Sequence, residues 1–153
     1  MNELRWMTVA CVLSACAACG DDDAAATDGG PGDAGETGAT VSGTLTLPGA
    51  MLGKPYFVRL LDSVGVAAAP PAAEATGRTP DATTIEYTIP GVPEGTFYIL
   101  GVVDVDESGG FMSSPGDYVG WYGHTGDGNP PDAPNAVVPA AGSVTFDFDL
   151  VER

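Results

Sequence analysis

The feature that most limits how this chain can fold is an alternation of apolar and polar residues, which begins at Val41 and runs in short segments between Pro and Gly. In segment 41–47 the odd positions carry Val, Gly, Leu and Leu, and the even positions carry Ser, Thr and Thr. A period of two residues predicts a strand with one buried face, whereas an amphipathic helix repeats every 3.6 residues. We therefore predict five strands, at 41–47, 56–61, 84–89, 97–103 and 144–150, and an irregular connection at 63–81 with room for one edge segment.

Composition favours the same fold class. The 153-residue chain contains 22 Gly and 13 Pro, residues that interrupt helices and form turns. Once the N-terminal segments are set aside, about 110 residues remain, which is enough for one modest hydrophobic core. The alternation predicts that Phe146 and Phe148 point into that core and that Asp147 points away from it. We expect one all-β domain, 41–153, folded as a small antiparallel β-sandwich.

One hairpin resembles a known family of sandwich domains. Residues 87–98 read Tyr-Thr-Ile-Pro-Gly-Val-Pro-Glu-Gly-Thr-Phe-Tyr. This is similar to a hairpin of prealbumin-like domains, such as carboxypeptidase regulatory-like and Cna-B-like modules, in which an aromatic strand precedes a turn ending in Pro-x-Gly. Segment 41–47 also resembles the first strand of that family. The resemblance covers 41–104 and 143–151. It implies a Greek-key, Ig-like sandwich that serves as a spacer, stalk or binding module and not as an enzyme.

The N-terminal residues resemble the signal of a bacterial lipoprotein. A positively charged start precedes an apolar run, 6–13, that is too short to span a bilayer, and Leu13-Ser14-Ala15-Cys16 then matches the lipobox of that family. The resemblance implies that 1–15 is a cleaved signal peptide and that Cys16 carries acyl chains such as palmitate. Two or three chains anchor a protein firmly, at about 0.8 kcal/mol per buried methylene. An ordinary secretory signal, cut at Ala15-Cys16-Ala17, is the alternative.

The residues after Cys16 bear on location and on flexibility. In lipoproteins of enteric bacteria, Asp at this position retains the protein in the inner membrane. Because the residue here is Ala17, the resemblance implies the outer membrane of a Gram-negative cell envelope. The remainder of 16–40 is rich in Gly, Asp and Thr and cannot bury enough apolar surface to fold. We expect a disordered tether with a mean reach of about 25 Å, in which Cys19 is a spare thiol.

The net charge of the chain is −16, from 21 Asp and Glu against 5 Lys and Arg. Such a charge repels the phosphates of nucleic acids and anionic lipid headgroups. We therefore expect no nucleic-acid binding, and the predicted membrane contact is the lipid anchor, with a protein or envelope component of unknown identity as a further partner. All three cysteines precede residue 20, so the domain has neither a disulfide nor a cysteine metal site.

The longest segment without a strand pattern is the loop 105–135, and a loop of this length in a compact domain is usually functional or disordered. At its start Asp104, Asp106 and Ser108 alternate, and the next residue is Gly. This is similar to the opening of a calcium-binding loop. The Glu that closes such a loop at position 12 is absent, because Pro115 stands there, and Asp117 is the nearest carboxylate. The predicted calcium ligands are Asp104, Asp106, Ser108 and Asp117, and an ordinary turn after a strand is the alternative.

Aromatic residues in the same loop leave a second function open. Tyr118, Trp121 and Tyr122 could stack against a carbohydrate or another small ligand, or they could cover the second apolar face of the strand at 97–103 as a local core. His124 stands alone in a Gly-rich stretch, and no pattern for a nucleophile, a phosphate loop or a zinc site is present. We expect no catalytic activity and no cofactor other than calcium. Ligand binding is the alternative to a structural or interaction role.

Overall fold

The computed structural model describes residues 38–64, 70–109 and 114–153. The predicted signal peptide, the predicted lipidation site Cys16 and the predicted tether up to residue 37 lie outside the described residues, as do Phe111 and Met112 of the long loop. The elements of the described ranges are strands, and these ranges contain no helix that is long and apolar enough to cross a membrane. The prediction of an all-β domain is confirmed.

The described residues form ten strands. These are β1 (Ala39–Thr46), β2 (Pro55–Leu61), β3 (Ala73–Arg78), β4 (Thr84–Val92), β5 (Gly95–Val103), β6 (Tyr118–Trp121), β7 (Ala136–Val138), β8 (Gly142–Thr145), β9 (Phe148–Asp149) and β10 (Val151–Glu152). The irregular connection contains β3, and the loop predicted to lack a clear strand contains β6. The last predicted strand is divided into β8 and β9.

Two sheets pack face to face as a β-sandwich. The four-stranded sheet has the order β4-β1-β8, with β9 also beside β1, and the six-stranded sheet has the order β10-β6-β5-β2-β3, with β7 also beside β5. Neighbouring strands are antiparallel except that β8 and β9 run parallel to β1. Parallel neighbours require a long connection, and the neighbours Ser42 and Thr145 are indeed 103 residues apart. The predicted sandwich is confirmed, but one of its sheets is mixed.

Most of the alternating residues that the sequence pattern indicates lie in the core between the sheets, together with Val92, Ala136 and Val138, which no predicted strand contains. On β4, Ile85, Tyr87 and Ile89 are buried, while the residues between them are exposed. Phe146 and Phe148 are also buried. Asp147 between them is exposed, so the predicted register of this segment is confirmed. Burial of each large apolar side chain contributes about 1.5–3 kcal/mol to stability.

The C-terminal part of the four-stranded sheet is interrupted between β8 and β9. In the gap, the Asp147 carboxylate accepts a hydrogen bond of 2.8 Å from the N–H of Thr44 on β1. The carbonyl of Phe146 approaches Gly43 so closely that a Cβ at residue 43 would collide with it. The same carbonyl accepts a hydrogen bond of 2.7 Å from the hydroxyl of Tyr87. Side chains thus satisfy backbone groups where the ladder is interrupted.

A second, smaller core lies on the other face of the six-stranded sheet. Its buried members come from β2, β5 and β6 and are Leu61, Tyr98, Leu100, Val102, Val119 and Trp121. The indole N–H of Trp121 donates a hydrogen bond of 3.0 Å to the carbonyl of Gly128, and a Cβ at Gly128 would collide with the side chain of Val119. The chain after β6 therefore folds back over this face, as expected, but Trp121 itself belongs to a strand of the sheet.

The two ends of the sandwich carry different segments. β1 begins at Ala39, which pairs with Val92 and Gly142, so the chain enters the domain beside the β4–β5 and β7–β8 turns. We call this the tether end. At the opposite end, backbone hydrogen bonds join Thr79 to Lys54 and Asp104 to Pro55. The β1–β2 loop, the β3–β4 turn and the β5–β6 loop therefore lie together there, and we call this the loop end.

Candidate metal centre at the loop end

Two aspartates flank the β5–β6 connection. Asp104 directly follows β5, and Asp117 directly precedes β6. Since β5 and β6 are antiparallel neighbours in which Val103 pairs with Tyr118, the two aspartates face each other where the strand pairing stops. The pairing of the strands, and not the sequence of the loop, therefore sets the separation of these two carboxylates.

Asp106 joins this pair from the loop. One carboxylate oxygen from each of Asp104, Asp106 and Asp117 lies within 4.8 Å of the others. Two oxygens bound to one Ca²⁺ at about 2.4 Å each can be no more than about 4.8 Å apart, so the separations allow the three residues to share an ion. Asp104 and Asp117 are only 6% and 2% exposed, whereas Asp106 faces solvent.

Backbone N–H groups hold the two buried carboxylates in place. Asp104 accepts hydrogen bonds from Ser108 (3.1 Å) and Gly109 (2.8 Å), and Asp117 accepts them from Val105 (2.8 Å) and Ser114 (2.6 Å). Each carboxylate oxygen offers more than one lone-pair position. These bonds therefore orient the oxygens and still leave them able to bind a cation.

A tight turn surrounds Asp106. Its carboxylate accepts a hydrogen bond of 3.0 Å from the N–H of Ser108. Hydrogen bonds from the hydroxyl and then the N–H of Ser108 lower the pKa of Asp106 below its ordinary value, so the group stays ionised at neutral pH. Glu107 has a left-handed backbone with φ of 57°, which costs a non-Gly residue about 1–2 kcal/mol. Gly109, with φ of 71°, takes the next left-handed position without that cost.

The four predicted ligands thus have different roles in the structure. Asp104, Asp106 and Asp117 are brought together. The backbone N–H of Ser108 serves two of the carboxylates, and its hydroxyl, which also helps to lower the pKa of Asp106, lies 3.5 Å from the hydroxyl of Ser114. The binding of calcium by these residues stays a prediction.

Lys54 also belongs to the site, although no sequence pattern indicates it. Its Nζ donates a hydrogen bond of 2.8 Å to the carbonyl of Val105 and lies 3.5 Å from the carboxylate of Glu107. Lys54 comes from the β1–β2 loop, 51 residues before Val105, so only the folded chain brings it here. Its positive charge partly offsets the negative charge of the loop, and its contacts tie two loops together.

The three aromatic residues of the predicted stacking platform do not share a surface. Tyr118 packs against the main core and Trp121 against the second core, on opposite faces of the sheet. Tyr122 meets Phe146 edge-on at a centroid separation of 4.7 Å. Trp121 is 9% exposed, so its ring offers little area to a sugar. Trp121 is thus a core residue, and Tyr118 and Tyr122 are partly buried against the core. The geometry gives the ligand-binding alternative no common platform at these three rings.

His124 lies in the turn after β6, as expected for an isolated histidine in a Gly-rich segment. Its Nε2 is 2.9 Å from the carboxylate of Asp127, and both side chains are partly exposed. Asp127 also accepts a hydrogen bond of 3.0 Å from the N–H of Asn129. Hydrogen bonds from Asn129, more than the contact with His124, lower the pKa of Asp127. The pair closes this turn.

The chain has no identified relative in the comparisons with known proteins. No protein-family model, no curated protein and no solved structure matches it. The prealbumin-like resemblance of the hairpin therefore stays a prediction. A fold alone does not specify an activity, so a function for this chain is argued from its own residues.

Proposed function

We propose that this chain is a lipid-anchored β-sandwich module of the bacterial cell envelope with a structural or interaction role, and that Ca²⁺ bound by Asp104, Asp106 and Asp117 stabilises its loop end. The observation that carries the calcium proposal is the convergence of these three carboxylates within 4.8 Å. The anchor is supported by the Leu13-Ser14-Ala15-Cys16 sequence behind a short apolar run.

Electrostatics favour a divalent cation at this position. Three negative charges held this close repel one another, and an ion between them turns that repulsion into attraction. Calcium accepts six to eight oxygen ligands in flexible geometry. The three carboxylates bring one oxygen each to this point, and water can supply the others. Because Pro115 stands where such loops carry a closing Glu, we expect the modest affinity of extracellular modules, about 10⁻⁴ to 10⁻³ M.

The expected effect of the ion is mechanical. Asp104 and Asp117 adjoin the ends of β5 and β6, and Asp106 lies in the loop between them. An ion shared by all three would fasten the loop to both strand ends, in addition to the hydrogen bonds and the Lys54–Glu107 ion pair that already hold it. A module that works outside the cytoplasm, where calcium is abundant, would gain rigidity from this arrangement without a disulfide.

Thermal unfolding tests the proposal. Residues 16–153 with Cys16→Ser and Cys19→Ser would be melted in EDTA, in calcium and in magnesium at equal ionic strength. Calcium at a hundred times its dissociation constant should add about 2.7 kcal/mol, which raises the melting temperature of a domain of this size by about 10 °C. Magnesium should raise it much less, because Mg²⁺ demands a near-ideal octahedron of ligands at shorter distances.

Two matched variants separate a specific site from general charge screening. Asp106→Ala removes a proposed ligand, and Glu107→Ala removes the neighbouring exposed carboxylate that lies outside the cluster. We expect the first variant to lose most of the calcium-induced rise and the second to keep it. Equal melting temperatures in EDTA and in millimolar calcium for the parent chain would show that the loop is an ordinary turn.

A further inference from the structure

We propose that β3 is the site at which two copies of this chain pair, edge to edge and antiparallel, so that their six-stranded sheets join into one in a symmetric dimer. The pairing needs neither the lipid anchor nor calcium, so it goes beyond the function proposed above and can fail separately from it. Two features of β3 carry the inference. These are the backbone groups that the strand leaves free and the order of its charged side chains.

β3 is an edge strand. Among the described residues it pairs with β2 and stands last in the order of its sheet. The N–H of Thr79 donates a hydrogen bond to the carbonyl of Lys54, and residues that make such bonds alternate along an antiparallel pair with residues whose backbone groups point away. The register therefore directs the N–H and C=O groups of Glu74, Thr76 and Arg78 away from β2. A free row of this kind is a template for another strand.

The charged side chains of this edge are complementary to those of a second copy. Glu74 and Arg78 are both exposed and lie on either side of Thr76. In an antiparallel pair centred on Thr76, Glu74 of each copy lies opposite Arg78 of the other. The facing residues are also those with free backbone groups, so each facing pair can exchange both of its hydrogen bonds at a Cα separation of about 5.5 Å. Opposite charges placed directly across from each other stabilise such a pair.

Existing contacts leave both side chains able to reach a partner. Glu74 accepts a hydrogen bond of 2.9 Å from Nε of Arg59 through one of its two carboxylate oxygens. Arg78 donates from one guanidinium nitrogen to the carbonyl of Gly53. A carboxylate accepts several hydrogen bonds, and a guanidinium carries five N–H groups. Each Glu74 in the dimer can therefore bind Arg59 of its own copy and Arg78 of the other.

Prolines limit the pairing to β3. Pro70 and Pro71 precede the strand and Pro80 follows it, and Pro supplies no N–H to a ladder. β4 is also an edge strand, but it contains Pro90, and its one charged residue, Glu86, has no opposite charge in the strand to face. A symmetric pair occupies the β3 edge of both copies. It therefore closes as a dimer and does not continue into a fibre.

The expected dimer is weak. A single pair of short strands buries less than the roughly 1,200 Å² at which stable interfaces begin. The net charge of −16 also makes two copies repel each other. At physiological salt this general repulsion is screened beyond about 8 Å, whereas the facing Glu74 and Arg78 side chains can touch. A test therefore needs a readout that captures a small dimer population.

Disulfide trapping provides that readout. Residues 16–153 with Cys16→Ser and Cys19→Ser would carry Thr76→Cys, which places one thiol of each copy at the symmetry axis. The facing Cα atoms are then about 5.5 Å apart, within the range that a disulfide spans. Thr88→Cys is the matched control, because it replaces an exposed Thr on the edge strand β4. Each protein would be equilibrated in a glutathione redox buffer, and matching melting curves confirm that both are folded.

Charge variants of the Thr76→Cys protein test the register. Arg78→Glu places a second carboxylate opposite Glu74, and Glu74→Lys places a second cation opposite Arg78, so each variant alone should lose most of the disulfide dimer. A mixture of the two variants again places opposite charges at both facing positions. The mixture should therefore form a mixed disulfide dimer, which is recognised by its mass.

We expect several-fold more dimer from Thr76→Cys than from Thr88→Cys. Equal yields from these two proteins would indicate random collisions and would overturn the dimer. The proposal would also be overturned if each charge variant formed as much dimer as the parent, or if the mixture formed no more dimer than each variant alone. None of these results affects the calcium site or the lipid anchor.

Discussion

Tyr87 donates a hydrogen bond of 2.7 Å from its hydroxyl to the backbone carbonyl of Phe146, and the bond lies in the core between the two sheets. It links β4 to the gap between β8 and β9, on either side of the central strand β1. Burial, then the negative charge of Asp147, and then Tyr122 raise the pKa of Tyr87 well above its ordinary value. The phenol therefore stays neutral in the folded protein at a pH at which it ionises in the unfolded chain.

The first prediction follows from this pKa. An unfolded Tyr loses its proton near pH 10, whereas folded Tyr87 keeps its proton. The contribution of protonated Tyr87 to the free energy of unfolding is therefore complete below pH 10. It decreases as the pH rises further, by about 1.4 kcal/mol per pH unit. Urea unfolding between pH 8 and 11 measures it. In Tyr87→Phe, the loss of the bond should lower stability by about 1–3 kcal/mol at pH 8, and the decline above pH 10 should be shallower. A parallel decline in both proteins would contradict this assignment.

The second prediction concerns the core register around Asp147. Phe146→Ala and Phe148→Ala should each destabilise the domain by about 3–5 kcal/mol, because each leaves a cavity in the core. Asp147→Ala should cost only about 1 kcal/mol, since the Thr44 N–H that it leaves behind is close to water. A domain of this size has a total stability of about 5–15 kcal/mol, so chemical denaturation readily distinguishes the two Phe variants from the Asp147 variant. A larger effect of the Asp substitution would contradict the packing described for these residues.

The third prediction separates the structural role of Asp117 from its proposed role as a ligand. In EDTA, Asp117→Ala leaves the N–H groups of Val105 and Ser114 without their acceptor, and we expect a loss of about 2–4 kcal/mol in urea unfolding. Asp106→Ala should have a much smaller effect in EDTA, because Asp106 is exposed. If both variants unfold like the parent in EDTA, the hydrogen bonds to Asp117 contribute little to stability.

The fourth prediction uses Trp121, the single Trp that remains when the predicted signal peptide is removed. Since its ring is packed in the second core and its N–H is bonded to Gly128, its emission should be blue-shifted and should resist quenching by iodide until the protein unfolds. Soluble oligosaccharides should leave the emission unchanged. A saturable change on their addition would restore the carbohydrate-binding alternative.

The fifth prediction concerns the anchor. Cys16→Ser should prevent acylation, so the protein should remain an uncleaved precursor or appear in the soluble fraction. Globomycin, which inhibits the lipoprotein signal peptidase, should cause the precursor of the parent protein to accumulate. Fractionation followed by mass measurement of the N-terminal peptide detects both effects, and Cys19→Ser is the matched control that should be processed normally. Normal maturation of the Cys16 variant would refute the lipoprotein assignment.

The sequence predicts those parts of this fold that depend on local alternation. The inward-facing residues of β4 and the positions of Phe146 and Phe148 follow from the period of two. Pairing between distant segments produces no periodic pattern in the sequence. The parallel placement of β8 beside β1 and the close approach of Phe146 to Gly43 depend on contacts across about a hundred residues. The sequence does not predict β6, because its four residues, Tyr-Val-Gly-Trp, are too few to display a period.

The candidate metal centre likewise depends partly on local sequence and partly on contacts between distant segments. The alternation of Asp104 and Asp106 places two carboxylates in one turn, and this is visible in the sequence. The sequence indicates Asp117 because it is the carboxylate nearest to the closing position of a calcium loop, yet the structure brings Asp117 to Asp104 through the pairing of β5 with β6. No spacing rule could indicate Lys54, which reaches the loop from another part of the chain. Nor could periodicity show whether Trp121 would be buried, because an exposed platform and a local core use the same residue types.

The parallel pairing of β8 and β9 with β1 has a consequence for the order in which the domain can be completed. β1 is the central strand of its sheet, yet its neighbours on one side are among the last residues of the domain to be synthesised. Closing a loop of this length costs about 4 kcal/mol of chain entropy before any contact compensates for it, and domains dominated by such distant contacts fold slowly. The four-stranded sheet therefore cannot be completed until β8 and β9 have joined β1. The timing of folding is thereby assigned to the final strands.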